Sequence, residues 1–330
     1  MSRPVPLVRA AALAPFILWM RAHGRGWEYR LRAAGVPAIA ALEPDRPIAL
    51  VAGVRFIRDA ARAEGPDLSS RVVSDASILQ LASFGRYALG ARTPRGAFER
   101  LTRAFACHSS HERFVVTPSA RGVVVRHTFD AAFDDESLHA CQQYVAAMIR
   151  SAFAGTAGGP HPLTAVSIVP HPTAGVRHLD GVLAQKVTPA EGRTLSVSLS
   201  ATALDQPYLR PGRDRDLPLD LKPIRDDGSL TTSLRAILPA MLEEKRPDLE
   251  EIADLAGTSR RTFQRRLADE GATLSGLIDD IRRDQAVARL SNGREPVASI
   301  SAELGYSDQS CLTRAMRRWT NAPPTRIRHG

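Results

Sequence analysis

Residues 249–267 read LEEIADLAGTSRRTFQRRL, and this stretch decides the fold of the C-terminal part of the chain. Its first apolar residues recur with the i, i+3, i+4 spacing of one buried helix face. Gly257 suits a tight turn, and Ser259 is a natural N-cap for a second helix. Phe263 and Leu267 lie four positions apart in that second helix and are expected to point inward. The stretch therefore predicts a helix-turn-helix unit.

Residues 296–319 read PVASISAELGYSDQSCLTRAMRRW and repeat the pattern. Pro296 suits the first turn of a helix, and Gly305 suits the turn that follows it. The inward side chains of the next helix are expected to be Leu312, Met316 and Trp319. The chain therefore carries two helix-turn-helix units in tandem.

A connecting helix is expected between the two units. Residues 274–290 have apolar side chains at helical spacing, and Asn292-Gly293 is a helix-stop signal. A helix of this length spans on the order of 25 Å. The second helices of the two units are thereby predicted to enter successive major-groove turns on one face of DNA, roughly 34 Å apart.

The outward faces of these two recognition helices carry side chains suited to DNA. They are Arg260, Arg261, Gln264, Arg265 and Arg266 in the first unit and Gln309, Ser310, Thr313, Arg314, Arg317 and Arg318 in the second. Arginine and glutamine form bidentate bonds with guanine and adenine edges, and arginine also binds phosphate. We expect base contacts from Arg261, Gln264, Arg265, Gln309, Thr313 and Arg314, and phosphate contacts from Arg266, Arg317, Arg318 and the helix N-termini.

The last quarter of the chain resembles the DNA-binding domain of the AraC/XylS family of bacterial transcription regulators. The matching elements occur in family order: Ala256-Gly257-x-Ser259, Gln264-Arg265-Arg266-Leu267, Arg282-Arg283, Ile300-Ser-Ala-Glu-Leu-Gly305-Tyr306-Ser307, Thr313-Arg314-Ala-Met-Arg-Arg-Trp319 and Pro323-Pro324-x-Arg326-Ile-Arg328. The resemblance implies base contacts at Arg261, Gln264, Arg265, Gln309, Ser310, Thr313 and Arg314. It also implies a transcription regulator, more often an activator.

The chain departs from the family pattern at four positions. Leu312 and Met316 stand where phenylalanine is usual, Ile327 replaces a common tyrosine, and Asn321 replaces a glycine. The first three are hydrophobic replacements, and asparagine tolerates left-handed backbone better than most residues. These departures bear on stability rather than on DNA contacts.

Length and composition support a soluble protein of two domains. The chain has 330 residues and a net charge of +9, but most of the excess lies before residue 229, so local arginine clusters matter more than total charge. Three cysteines without paired spacing favour a reducing compartment. The apolar run Ala10–Met20 contains a proline and is too short to span a bilayer. A cytoplasmic location, in contact with the nucleoid, is expected.

The N-terminal two-thirds predicts an α+β domain. Helices are expected at residues 16–34 with a break at Gly24 and Gly26, and at 46–64, 78–87, 93–105 and 135–154. Strands are expected at 113–118, 122–129, 165–169 and 194–199, the first two as a hairpin. The expected core contains Phe16, Leu18, Phe98, Leu101, Phe105, Val124 and Ile149. We assign residues 1–206 to an effector and dimerisation domain, 207–228 to a linker rich in proline and charge, and 229–330 to the DNA-binding domain.

This N-terminal region resembles, more diffusely, the arabinose-binding-like effector domain of one branch of the same family. The resemblance rests on Ser83-Phe84-Gly85-Arg86-Tyr87, the helix and hairpin after it, Val169-Pro-His171-Pro172 and Leu204-Asp205-Gln-Pro207. It implies regulation by a ligand of unspecified chemistry. Any small-molecule effector is expected to bind in this domain.

Other readings of the sequence remain open. Cys107-His108-Ser-Ser-His111, with His127 and His139, offers thiolate and imidazole groups for a metal- or redox-sensing regulator, although core-edge positions explain them better. An architectural DNA-binding protein without ligand response is a further alternative. No Gly-x-Ser-x-Gly, P-loop or Pro-Cys-His-Arg motif occurs, so we expect neither an enzyme nor a cofactor. The expected partners are double-stranded promoter DNA, RNA polymerase, an unknown small molecule and a second copy of the chain, without a membrane.

Overall fold

The computed structural model describes residues 4–120, 122–157, 162–209, 218–224, 228–293 and 295–328. The chain divides into two compact units. One is Pro6–Asp226, and the other is Asp227–Gly330 together with Met1–Val5. Within the smaller unit, the Val5 amide donates to the Ser233 hydroxyl at 2.9 Å, which ties the N-terminal segment to the helical part of this unit. Half of the predicted linker, residues 207–228, lies outside the described residues.

The larger unit mixes helices and strands. Its strands are β1 (Leu7–Arg9), β2 (Pro47–Ala49), β3 (Glu112–Ser119), β4 (Gly122–Phe129), β5 (Leu163–Ile168), β6 (Val187–Pro189) and β7 (Leu195–Ser200). Its helices are α1 (Ala14–Ala22), α2 (Trp27–Ala34), α3 (Leu50–Glu64), α4 (Leu68–Arg71), α5 (Ser77–Gln80), α6 (Ala82–Leu89), α7 (Pro94–His108), α8 (Asp135–Ser151) and α9 (Ala201–Leu204). Three short 3-10 segments lie at Ala10–Leu13, Ala38–Ala41 and Arg177–Leu179.

Two sheets organise this unit. β1 and β2 form a small antiparallel pair, and the larger sheet has the order β3-β4-β7-β5-β6. All neighbours in the larger sheet are antiparallel except β5 and β6, which run parallel. The β3-β4 hairpin pairs Val116 with Val125 and closes at Ser119 and Gly122, as the sequence predicted. Helix α8 contacts α3, α4, β5 and β7, so the core lies between this helix layer and the sheet.

One of the seven expected core residues is wrong, and two are only partly buried. Leu18 is 45% exposed, because α1 turns Phe16, Ile17 and Met20 inward instead. Val124 is half-buried, while Val123 and Val125 are fully buried. Side chains alternate between the faces of a strand, so the expected pattern was one residue out of register. Phe105 is half-buried, and the other four expected core residues are buried as predicted.

Tertiary contacts overrode local patterns at three places. Residues 47–49 form strand β2 rather than the start of a helix, because they pair with β1, which the sequence pattern did not reveal. The helix expected at 78–87 is divided into α5 and α6 at Ala82, whose φ is 52°. The short strand β6 was also missed, and its pairing partner β5 lies more than 15 residues earlier in the chain.

The smaller unit is entirely helical in its described residues. Its helices are α10 (Leu230–Leu242), α11 (Leu249–Leu255), α12 (Arg260–Asp269), α13 (Leu274–Ser291), α14 (Val297–Glu303), α15 (Gln309–Thr320) and α16 (Pro324–Arg328). Helix α13 contacts α10, α14 and α16 and runs through the middle of the unit. The expected fold class, an α+β region followed by an all-α tandem helix-turn-helix region, is confirmed. No helix in the described ranges is long and apolar enough to cross a membrane.

Candidate nucleic-acid interface

The first helix-turn-helix unit consists of α11 and α12. The Asp248 carboxylate caps α11 by accepting from the Glu251 amide at 2.8 Å. At the other end, Gly257 takes a left-handed φ of 61°, and the next amide, that of Thr258, donates to the Ala253 carbonyl at 3.0 Å. This closure satisfies carbonyl groups at the end of the helix and turns the chain sharply toward α12.

The second unit, α14 and α15, is closed in the same way. Gly305 has a φ of 74°, and the Tyr306 amide donates to the Ser301 carbonyl at 3.0 Å. A Cβ atom at Gly305 would lie 3.1 Å from the Arg282 guanidinium, which stacks 5.3 Å from the centre of the Tyr306 ring. A glycine is therefore favoured here both by the backbone angle and by the close approach of the arginine. Arg282 belongs to the motif that the family resemblance implied, and its contacts are structural.

Each recognition helix begins at a side-chain cap. The Ser259 hydroxyl accepts from the Thr262 amide at 3.3 Å, and the Asp308 carboxylate accepts from the Cys311 amide at 2.8 Å. Ser259 lies two residues after its turn glycine, whereas Asp308 lies three residues after its own. The second unit thus has one more residue in the turn, which shifts its recognition helix by one position relative to the first.

The buried side of the two recognition helices follows the same spacing. Phe263 and Leu267 are at most 1% exposed on α12, and Leu312 and Met316 are fully buried on α15. The pairs are four residues apart in both helices, so each helix turns a matching stripe away from the core. Leu312 and Met316 fill a cluster with α13 and α14 side chains, which explains how the chain tolerates the loss of the usual phenylalanines.

The expected DNA-contacting residues lie mainly on the exposed stripes. Arg260, Arg261, Gln264, Arg265, Gln309, Ser310, Arg314, Arg317 and Arg318 are exposed, whereas Arg266 and Thr313 are half-buried. Within the described part of the chain, Arg260, Arg261, Arg265, Arg266 and Arg317 have no acidic partner within ion-pair distance. Their positive charge is therefore not neutralised by the protein.

Three of the expected residues are already engaged by the protein. A nitrogen of Arg318 donates to the Asp279 carboxylate of α13 at 2.9 Å, and the guanidinium also lies 5.7 Å from the centre of the Trp319 ring. The Thr313 hydroxyl donates to the Gln309 carbonyl at 2.9 Å, which leaves its oxygen able to accept. Arg314 lies 3.0 Å from the Cys311 sulfur. Arg318 is thus the least available of the predicted phosphate contacts.

Two residues near the interface were missed by the sequence reasoning. Arg246 and Ser275 line the same groove as Gln264, and a nitrogen of Arg246 donates to the Ser275 hydroxyl at 3.3 Å. Ser275 lies in the first turn of α13, where free amide groups favour an anion. Neither residue belongs to a recognition helix, so the helix-turn-helix pattern did not point to them.

Salt bridges link helix α13 to the second unit. Arg289 of α13 donates to the carboxylates of Glu295 and Glu303, each at 2.5 Å, and so links α13 to α14. The half-buried Arg289 holds two partners, and this network restrains the position of the second unit relative to α13. The position of the second unit on α13 is therefore set by packed and paired groups.

Glu270, directly after α12, caps the beginning of α10. Its two carboxylate oxygens accept from the Leu230 and Thr231 amides, both at 2.8 Å. We expect Glu270→Ala to lower the free energy of unfolding of this unit by about 1 to 3 kcal/mol, because two amides at a helix N-terminus lose a charged acceptor. Urea unfolding followed by Trp319 fluorescence, in a protein that carries Trp19→Phe and Trp27→Phe, measures the change. Asp269→Ala, at an exposed neighbouring carboxylate, is the matched control, and an equal loss in both variants would contradict the capping role.

The cysteine and histidine residues considered for metal sensing do not form a metal site. His108 is buried and stacks on Phe84 at 4.6 Å between ring centres, and His111 is hydrogen-bonded through Nδ1 to the Ser110 hydroxyl at 2.7 Å. His139 instead contacts His178, with 3.1 Å between their Nε2 atoms. Among the residues that the structure describes, no three His, Cys, Asp or Glu side chains are grouped to hold a metal ion.

Comparison with known proteins supports the helix-turn-helix assignment. A family model described as a helix-turn-helix domain matches residues 252–330, which include most of α11 and all of α12 to α16. The HTH-type transcriptional regulator VqsM of Pseudomonas aeruginosa is 39% identical over 88 residues, which are 27% of this chain and 27% of that protein. The HTH-type transcriptional regulator VirS of Mycobacterium tuberculosis is 26% identical over 98% of this chain and 96% of its own length.

Among solved structures, the transcriptional regulator CdpR from Pseudomonas aeruginosa also matches this chain. It is 18% identical, with a TM-score of 0.38, over 92% of this chain and 98% of that one. Both curated relatives are HTH-type transcriptional regulators, as the sequence resemblance implied.

Proposed function

We propose that this chain, a transcriptional regulator whose C-terminal region is an AraC-type helix-turn-helix domain, reads two successive major grooves of promoter DNA and activates transcription in response to an effector. The observation that carries the proposal is the duplication of one unit. Both recognition helices bury an i, i+4 apolar pair and expose arginine or glutamine opposite it. Such faces suit direct contact with base edges.

The exposed faces divide into base-reading and phosphate-binding groups in this proposal. Arg261, Gln264, Arg265, Gln309, Ser310, Thr313 and Arg314 face the bases, and Arg260, Arg266 and Arg317 bind phosphates. Arg318 reaches a phosphate only by exchanging its bond with Asp279, so its contribution is smaller. Arg246 and Ser275 add a phosphate contact beside Gln264, at the N-terminus of α13.

The connecting helix supports the proposed spacing of the two contacts. Helix α13 has 18 residues and is therefore about 27 Å long. Its salt bridges to α14 and the stacking of Arg282 on Tyr306 hold the second unit firmly on it. As an activator the protein would contact RNA polymerase, and a homodimer would place four recognition helices on two half-sites.

Single substitutions test the reading of bases. Arg261→Ala and Arg265→Ala are each expected to weaken binding by about 1 to 3 kcal/mol and to relax the preference at one base pair. Selection of bound sequences from a random DNA pool with the full-length protein, followed by titrations at one salt concentration, gives both quantities. Arg177→Ala removes an exposed arginine from the other unit and serves as the charge-matched control. An equal loss on every DNA sequence would show that these arginines bind phosphate only.

A further inference from the structure

The larger unit contains an apolar cavity that the DNA-binding proposal does not use. Its volume is about 110 Å³, and it lies among α3, α5, α6, α7, α8 and the β3-β4 hairpin. Five phenylalanine rings contribute to its wall: Phe84, Phe98, Phe105, Phe114 and Phe129. We refer to it as the N-terminal cavity. Its size is close to that of engineered protein cavities that hold one benzene molecule.

Polar groups without partners line this apolar space. His108, His127 and Tyr144 are each at most 8% exposed and all contribute to the cavity wall. Nδ1 of His108, Nδ1 of His127 and the Tyr144 hydroxyl are buried and have no hydrogen-bond partner. A buried polar atom without a partner destabilises the folded state. Three such atoms around one cavity indicate that an occupant supplies the missing hydrogen bonds.

Glu112 and His127 define the charge at this side of the cavity. Nε2 of His127 donates to the Glu112 carboxylate at 2.7 Å. Burial alone would raise the pKa of Glu112, but the hydrogen bonds from His127 and Ser109 and the charge of His127 outweigh burial and leave the pKa below its usual value. Glu112 is therefore ionised at neutral pH and can only accept. Because Nε2 of His127 is engaged in this bond, Nδ1 is the ring nitrogen that is left without a partner.

The remaining polar groups are uncharged at neutral pH. Burial lowers the pKa of His108 to about 4. Burial also raises the pKa values of Tyr144 and Cys141, so the phenol and the thiol keep their protons. The negative Glu112 disfavours a second anion in the same apolar space. A cation is disfavoured as well, because the one carboxylate already accepts from His127 and the walls are otherwise apolar.

We infer that the N-terminal cavity is an effector site for an uncharged molecule of about one six-membered ring that carries a single hydroxyl group, such as a phenol. The ligand hydroxyl forms hydrogen bonds with Nδ1 of His127 and with the Tyr144 hydroxyl, so that both buried groups gain partners. The ring packs against the phenylalanine walls. The role of this site in regulation rests on the effector response proposed above, whereas the binding of a ligand in the cavity does not depend on it.

Binding is tested with the full-length protein by thermal unfolding and by calorimetric titration. The probes are phenol and benzyl alcohol, with toluene lacking the hydroxyl, and benzoate and benzylamine carrying opposite charges. Phenol is expected to raise Tm in a saturable manner and to bind roughly tenfold more tightly than toluene, as one or two neutral hydrogen bonds would give. The proposal is overturned if no probe raises Tm, or if benzoate or benzylamine binds more tightly than phenol.

Tyr144→Phe isolates the hydroxyl without altering the shape of the wall. The variant is expected to bind phenol and toluene within about threefold of each other and, without ligand, to unfold about 2 to 4 °C higher, because an unpartnered buried hydroxyl is removed. Tyr208→Phe is the matched control: its hydroxyl donates to the Ala152 carbonyl at 2.6 Å, so its Tm should fall while the preference for phenol persists. A lower Tm for Tyr144→Phe would mean that ordered water already fills the cavity, and the inference would fail.

A DNA titration with and without saturating phenol separates this inference from the proposed function. Specific DNA binding without any phenol-induced Tm shift would reject the cavity assignment alone. A Tm shift in a protein that binds no specific DNA would reject the DNA-reading proposal alone. Phenol binding with unchanged DNA affinity would retain the site but remove its role as an effector site.

Discussion

Combining Arg265→Ala with Arg314→Ala is expected to weaken binding to the specific DNA site by roughly 30-fold to 10⁴-fold, which corresponds to about 2 to 6 kcal/mol. The two arginines occupy matching places in the repeat. Arg265 lies two residues after the buried Phe263, and Arg314 lies two residues after the buried Leu312. Each therefore projects from the same position of its own recognition helix.

The effects should add because the two contacts are independent. The arginines belong to different helices, and the structure shows no shared hydrogen-bond partner for them among the described residues. Distant substitutions without shared partners usually add to within about 0.5 kcal/mol. A cycle of the parent, both single variants and the double variant, titrated with the selected DNA site at one salt concentration, measures the sum and any coupling.

The controls separate base reading from general loss of charge. Arg177→Ala combined with Arg86→Ala removes two exposed arginines from the other unit and should leave specific affinity within about twofold. Urea unfolding of the double variant should match that of the parent, because neither Arg265 nor Arg314 is buried. If only Arg265→Ala weakens binding, Arg314 does not contact a base, and base reading by the second recognition helix then rests on Gln309, Ser310 and Thr313 alone.

The C-terminal fold was predictable because its signals are local. The spacing of Phe263 and Leu267, the turn glycines and the cap at Ser259 all act within a few residues of one another. From these local patterns, the exposed faces of α12 and α15 could be predicted. The partners of Arg282 and Arg318 were not predictable. Arg282 stacks on Tyr306, and Arg318 binds Asp279, and in each pair the two residues are far apart in the sequence.

The N-terminal fold was less predictable because its decisive contacts are distant in sequence. Strand β2 exists only because it pairs with β1 some 40 residues earlier, and the register of β4 depends on β7 as well as on β3. The histidines illustrate the same limit. His108 attracted attention as a neighbour of Cys107, yet its significant neighbours are Phe84 and Glu112, which the fold brings to it.

Acid is expected to destabilise the larger unit, mainly through two buried histidines. Burial lowers the pKa of His139 to about 4. The hydrogen bond to the Val169 carbonyl opposes this shift in part, whereas His178 and His171 add to it. Burial likewise lowers the pKa of His108 to about 4, with Glu112 and Asp45 opposing the shift and Arg9 and His127 adding to it. In the unfolded chain, histidine has a pKa of about 6.5. Both rings therefore gain protons on unfolding at intermediate pH.

The sign of the effect follows from that difference in proton binding. The contribution of each histidine is fully present above about pH 6.5 and is lost as pH falls toward 4, at roughly 3 kcal/mol for each ring. Glu112 acts in the same direction at lower pH, because its pKa is held below the usual value in the folded protein. Its contribution is present above about pH 4.5 and is lost below it. The three groups therefore reinforce one another as the solution becomes acidic.

The unfolding free energy of the larger unit should thus fall by about 2 kcal/mol per pH unit between pH 6 and pH 4.5, since almost two protons are taken up on unfolding. Urea titrations of a Trp319→Phe protein report this unit alone, because Trp19 and Trp27 are then the remaining tryptophans. His139→Gln should reduce the slope to about half, because glutamine cannot take up the proton while its amide can still donate to the Val169 carbonyl. His23→Gln, at an exposed ring, controls for the loss of a histidine as such. A free energy of unfolding that stays constant from pH 7.5 to pH 5 would show that His108 and His139 are protonated as readily in the folded protein as in the unfolded chain. That result would also remove the argument that His108 presents an uncharged ring to the N-terminal cavity.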